Sequence, residues 1–145
     1  MRAQSRQQAA KSAAGFTLIE LLIVMVIVAV LAGIAYPAYT GHIKRSHRAD
    51  ARAELLRMQM AVEKQRLTTL GAKPALPAGW VVAQSVAKHY QLNLQPAAAQ
   101  DYTLEARALA GDTQAEDKQG ETSCAVLTLR VQGMDTRYEP AVCWQ

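Results

Sequence analysis

The sequence predicts an α+β chain: one long N-terminal α-helix, half transmembrane and half amphipathic, packed on a small antiparallel β-sheet of three to four strands. Three observations carry this expectation. The run from Phe16 to Ala38 is almost wholly apolar. Past it the chain turns polar, yet Ala51, Leu55, Met58 and Val62 recur at spacings of four, three and four, the period of a helix with one buried stripe. After a break rich in Pro, Gly and Ala, three short segments alternate apolar and polar residues as half-buried strands do.

The first fifteen residues are polar and basic, contain no acidic residue, and close on the small residues Ser12, Ala13, Ala14 and Gly15. They read as a targeting segment rather than part of a fold. As a helix, the apolar run that follows spans about 35 Å at ~1.5 Å per residue, enough for a hydrocarbon core of ~30 Å. Only Thr17 and Glu20 interrupt it before Gly33, Tyr36 and Pro37. Gly33 and Pro37, one turn apart, are expected to kink or loosen the helix near its outer end.

From residue 40 to 71 the helix continues as its amphipathic half. Leu56, Met60 and Leu67 are expected to widen the apolar stripe, with Arg48, Arg52, Glu54, Arg57, Glu63 and Lys64 on the opposite, charged face. Gly71 followed by Pro74 stops the helix after about fifty residues. Residues 72–145 then form the head. Its strand candidates are Tyr90–Leu94, Tyr102–Ala108 and Ala125–Val131, and Gly133 marks a turn before the last segment. Gly111 to Ser123 is highly polar and is expected to be a mobile loop. A sheet this small cannot bury its apolar face alone, so the helix stripe is its natural partner.

Charge and cysteine content narrow the function classes. The formal charge is +4, from 16 Lys+Arg and 12 Asp+Glu. Arg2, Arg6 and Lys11 lie in the targeting segment, and removing those three leaves 13 basic residues against 12 acidic ones. The basic isoelectric point is therefore weak support for nucleic-acid binding. Cys124 and Cys143 belong to no CxxC pair, and the exported N-terminus favours a disulfide between them over two buried thiols.

His42 and His47 are five apart and do not share a helix face, and His89 lies far along the chain, so no metal triad is expected. There is no Gly-rich phosphate loop and no Ser elbow. Asp101 and Glu105 read as ordinary strand-edge charges. No enzyme, catalytic residue, cofactor or metal is expected. The basic concentration His42, Lys44, Arg45, His47, Arg48, Arg52 and Arg57 reads as a solvated or subunit-contact face rather than a dedicated DNA site. Trp80 and Trp144 read as packing residues of the head.

The segment Gly15-Phe16-Thr17-Leu18-Ile19-Glu20, followed by the apolar run, closely resembles the class III signal of type IV prepilins and related pseudopilins. The resemblance implies that residues 1–15 are a leader peptide, cut after Gly15 by the prepilin peptidase, with the new amine of Phe16 then methylated. Pro37 stands where that family usually has a kinking proline. Each position also has its own physics. Gly15 lets an extended backbone enter a narrow protease site. Phe16 anchors the mature end at the membrane. An ionisable group one turn into an apolar helix costs on the order of 2.5–3.5 kcal/mol unless it finds a partner. A neighbouring subunit's N-terminal amine would serve, which makes Glu20 a registry device for assembly.

Further along, Ile34-Ala35-Tyr36-Pro37-Ala38-Tyr39, Arg48-Ala49-Asp50-Ala51, Tyr102-Thr103-Leu104, Cys124 with Leu127-Thr128-Leu129, Gly133 and Cys143-Trp144 resemble PilE-type minor pilins. Ala125 departs from the glycine that often follows the first cysteine, and the calcium loop of the major secretion pseudopilins is not evident. The resemblance implies a minor pilus subunit supporting pilus biogenesis, twitching motility and attachment. Its partners would be other pilin subunits, the prepilin peptidase, the assembly machinery and, before assembly, the inner membrane, with the C-terminus periplasmic and the assembled pilus extracellular. A DNA-receptor or adhesive pilin, with DNA a possible but not favoured partner, and a type II secretion pseudopilin remain as alternatives.

Overall fold

A computed structural model describes residues 15–69 and 71–145, so most of the expected leader lies outside the described residues. The chain forms two compact units, one ending at Ala38 and the other Tyr39–Gln145. Helix α1, Leu18–Thr68, contributes to both. Among the described residues it is the one helix long and apolar enough to cross a membrane. In the first unit its large apolar side chains are all exposed, from Leu22 and Val24 at 51% to Leu18 at 77%. A surface that apolar and that continuous requires lipid or other protein to cover it.

The second unit has its own core, and it is the expected α+β arrangement. Helix α2 (Gln84–Ala87) is a single turn. Strands β1 (Tyr90–Pro96), β2 (Asp101–Ala108), β5 (Val126–Gln132) and β6 (Asp135–Glu139) form an antiparallel sheet in that order. A short hairpin of β3 (Lys118–Gln119) and β4 (Thr122–Ser123) stands apart from it. The pairing sets Leu94, Leu104, Leu129 and Tyr138 in one row across the sheet, and Leu92, Ala106 and Leu127 in the next. Alternate residues of β2 and β5 are buried, as the period-2 pattern requires. They form one core with Ala51, Leu55, Met58 and Val62 of α1. Burying each of the larger aliphatic side chains contributes about 1.5–3 kcal/mol. Between β5 and β6, Gly133 takes φ 61, a left-handed conformation that glycine adopts at little cost in this tight turn.

Four expectations require correction. Leu56, Met60 and Leu67 do not widen the stripe; they are 39%, 66% and 81% exposed. Arg48 and Glu54 do not lie on the charged outward face. Both are buried, because each meets a polar partner supplied by a distant part of the chain. The segment Gly111–Ser123 is not a mobile loop. It forms a 3₁₀ turn over Thr113–Glu116 and the β3–β4 hairpin, with Gln114 and Asp117 buried. Finally, His89 is not distant from the helix histidines: its ring stacks on that of His47, with centroids 3.8 Å apart. Trp80 and Trp144 do pack against the core.

Candidate assembly helix and head-domain sites

Gly15, Phe16 and Glu20 are exposed at the entry to α1. Thr17 precedes the first helical residue, and its hydroxyl oxygen accepts from the Glu20 N–H at 3.3 Å. The Glu20 carboxylate in turn accepts from the Thr17 N–H and hydroxyl, both at 3.4 Å. This reciprocal exchange satisfies two backbone donors that a helix start leaves open, and it is a capping box. Its T-x-x-E signature is readable in the sequence, so Glu20 caps the helix in addition to the assembly role expected of it. Gly33 and Pro37 both lie inside α1.

In the second unit Cys124 and Cys143 form a disulfide, with Cα atoms 5.7 Å apart and a sequence separation of 19. It ties the start of β5 to the C-terminal 3₁₀ turn Ala141–Trp144. The Cys124 N–H also donates to the Asp117 carbonyl at 2.8 Å, so the bridge sits against the 111–123 segment.

That segment is bound to α1 by polar groups. Arg48 Nη1 donates to Asp117 Oδ2 at 3.1 Å, and both side chains are 4% exposed. The second guanidinium nitrogen donates to Gln119 Oε1 at 3.0 Å. Gln114 Nε2 donates to the Lys44 carbonyl at 3.1 Å and to the Tyr90 hydroxyl at 2.7 Å. Asp112 caps the 3₁₀ turn by accepting from the Gln114 N–H at 2.8 Å, and its other carboxylate oxygen lies 2.9 Å from His89 Nδ1. Partial burial opposes the charged form, but these two hydrogen bonds hold the Asp112 carboxyl below its ordinary range. Burial pushes the Tyr90 phenol up.

Two further networks fix the far end of the helix. Glu54 pairs with Arg57 and accepts from the Ala83 N–H at 3.3 Å. Arg57 also donates to the Val81 carbonyl at 2.7 Å and lies 4.0 Å over the Trp80 ring. Glu63 is paired with Arg66 at 2.7 Å and accepts from the Tyr102 hydroxyl at 2.6 Å. Burial, reinforced by that carboxylate, pushes the Tyr102 phenol well above its usual range.

Beside these networks lies an open groove of about 620 Å³. Its walls are Lys64, Gln65 and Thr68 of α1, then Thr69, Pro77 and Trp80. From Lys64 through Gln100 the sequence has no Asp or Glu, yet it carries Lys64, Arg66, Lys73 and Lys88. Arg66 is paired with Glu63, and the three exposed lysines leave this stretch with a local surplus of positive charge.

The expected basic concentration is thus dispersed. Arg48 is consumed by Asp117, Arg57 by Glu54, and Arg52 Nη1 donates to the Gln145 carbonyl at 2.7 Å. His42 and Arg45 remain exposed. Among the described residues no group of three His, Cys, Asp or Glu side chains is placed to hold a metal ion.

Comparison with known proteins agrees with this architecture. Residues 10–36 match the prokaryotic N-terminal methylation motif. The chain is 38% identical over 73 residues to the type IV major fimbrial protein FimA of Dichelobacter nodosus, covering 50% of this chain and 46% of that protein. It is 47% identical over 49 residues to the type IV major alpha-pilin of Moraxella bovis, covering 34% and 31%. Against the fimbrial protein EcpC of Eikenella corrodens it is 54% identical over 37 residues, covering 26% and 24%. The chain therefore spans less than half the length of these curated relatives. No solved structure matches it. Residues 37–128, more than half of the chain, match the family described as "Type IV minor pilin ComP, DNA uptake sequence receptor". With its apolar N-terminal helix and disulfide-closed α+β head, the chain belongs to this family of type IV minor pilins.

Proposed function

We propose that this chain is a minor subunit of a type IV pilus that presents its head to DNA during uptake. The match of residues 37–128 to the ComP family carries this reading. In it, residues 1–15 are the leader, cut after Gly15, and Phe16 becomes the methylated N-terminus. Residues 16–39 hold the subunit in the inner membrane with the C-terminus periplasmic, then enter the filament core. Gly33 and Pro37 give that helix a point of bending. Residues 40–71 support the head, and residues 72–145 complete it.

Glu20 carries the assembly chemistry. In lipid its carboxylate has only the capping contacts to Thr17. In a filament a neighbour's Phe16 amine would neutralise it and fix the axial step. For DNA, the groove beside Lys64 and Trp80 is the favoured contact. Its lining carries no carboxylate, which suits a phosphate backbone, and an aromatic beside a cation suits a nucleic-acid surface. Twitching motility and attachment would follow from filament formation without a separate site on this chain.

Two measurements test the reading. The mature N-terminal peptide should begin at methylated Phe16, and the protein should be recovered in sheared pili at low abundance. A protein that keeps residues 1–15 in cells with an active prepilin peptidase would sink the pilus assignment. Purified mature protein in detergent should shift duplex DNA in a salt-dependent way. Binding that ignores salt, or none at all, would leave a filament subunit without the DNA role.

A further inference from the structure

The stacked histidines join α1 to the 111–123 segment through a single carboxylate contact. His47 lies on α1, and His89 lies between α2 and β1. Their rings are nearly parallel, 18° apart, with centroids 3.8 Å apart. His89 Nδ1 faces Asp112 at 2.9 Å, whereas His47 Nδ1 is buried with no hydrogen-bond partner among the described residues. Asp112 interacts with both imidazoles, Arg48 follows His47 on α1 and pairs with Asp117 of the segment, and the Tyr90 hydroxyl accepts from Gln114 there. Along the chain, Arg45 lies two residues from His47, Lys44 and the exposed Asp50 each lie three residues from it, and Lys88 adjoins His89. Arg48 and Asp117 neutralise each other at 3.1 Å. Among the described residues, Asp112 is the one carboxylate hydrogen-bonded to either imidazole, and one carboxylate balances one imidazolium.

We propose that the His47–His89–Asp112 contact is a pH-sensitive latch, which holds the segment 112–119 against α1 near neutrality and opens it in mild acid. Imidazole is the side chain that changes charge in that range. The first proton is welcome on His89, where Asp112 accepts its N–H. A second proton sets two like charges face to face across a stack, with a buried N–H on His47 that has nothing to donate to. Separating the rings brings His47 to water and relieves both penalties. It also loosens the bonds that continue from Asp112, namely the Gln114 contacts to Lys44 and Tyr90 and the Arg48–Asp117 pair. The segment's other end is anchored by the Cys124 N–H to the Asp117 carbonyl, next to the disulfide, so the opening is local. The latch rests on the second unit alone and stands or falls independently of the pilus and DNA readings.

Hydrogen exchange of the full-length protein in detergent micelles tests it, after correction for the intrinsic pH dependence of exchange. Amides of Gln114 and Asp117 should lose about tenfold in protection between pH ~7 and ~5, while those of β2 and β5 hold theirs. The variant His47→Phe keeps an aromatic ring in the stack without a charge, and its segment should stay protected at both pH values. Unchanged protection in the wild type, or an equal loss in His47→Phe, would overturn the latch. Should that variant fail to fold, NMR titration of the wild-type rings decides. His47 and His89 should then titrate in coupled steps, the second coinciding with shifts of the segment amides, with exposed His42 as an internal reference. Independent titration of the two rings with unmoved segment amides would equally overturn it.

Discussion

Asp117 and Arg48 illustrate what a single buried ion pair does in a small head. Neither charge can be left alone at 4% exposure, and each has spent its hydration on the other. Asp117→Ala should therefore cost about 3–5 kcal/mol in chemical denaturation, whereas Arg48→Met with Asp117→Leu should restore much of that loss. A single variant as stable as the wild type would show that water reaches the pair. Titrating side chains set a second expectation. The phenols of Tyr90 and Tyr102 are held above their ordinary value of 10.0. Their contribution is complete below pH ~10 and is lost as pH rises toward the folded-state values. Asp112 is held below its ordinary 3.8, so its contribution is present above that pH and is lost as pH falls through its folded value. The contributions of these three groups should hold between these limits and be lost at both ends, and Tyr102→Phe should flatten the alkaline limb. These roles were not legible in sequence. Arg48 reads as one of several helix charges because its partner lies 69 residues away. By contrast, Thr17 and Glu20 are three apart, and their capping box could have been read directly.

Elements differ in how openly the sequence declares them. Helix α1 is announced by its apolar run, its buried stripe at 51, 55, 58 and 62, and its glycine stop, because helix periodicity is local. Strands β1, β2 and β5 are legible for the same reason. Strand β6 was not singled out, since only Thr136 in Asp135–Glu139 is even half-buried and alternation is faint. The polar composition of Gly111–Ser123 pointed to a loop, yet its side chains are spent on α1 and Tyr90 rather than on water. Composition reports affinity for water without saying whether a buried partner will be offered. The disulfide is the element that keeps this region closed. On the chain-entropy view, Cys124→Ser with Cys143→Ser should lower stability by about 3 kcal/mol and release the C-terminal turn first. Thiol-labelling of the reduced wild type at the rate of an unfolded chain, set against protected β2 amides, would report that order of events. A head that melts at an unchanged denaturant concentration would refute the estimate.

At the scale of the whole molecule, charge is the property most easily misread. The isoelectric point near 9.3 belongs largely to residues 1–15, and the head is close to neutral. Neutrality is an average, however, and DNA responds to local field. Much of the head's basic charge is paired: Arg48 with Asp117, Arg57 with Glu54, Arg66 with Glu63 and Arg107 with Glu105. The lysines Lys64, Lys73 and Lys88 lie in the acid-free stretch and are exposed. If DNA is bound there, Lys64→Ala with Lys73→Ala should weaken duplex binding across unrelated sequences. Each lost phosphate contact should also lower the slope of log affinity against log salt by about 0.9. The control is Arg130→Ala with Arg137→Ala, which removes the same charge from the exposed face of the sheet, where the two arginines stand directly opposite each other. If the control weakens binding as much as the lysine pair, the contact is the sheet face rather than the groove. If only the lysine pair does, and the salt slope falls with it, the groove is the DNA-binding surface.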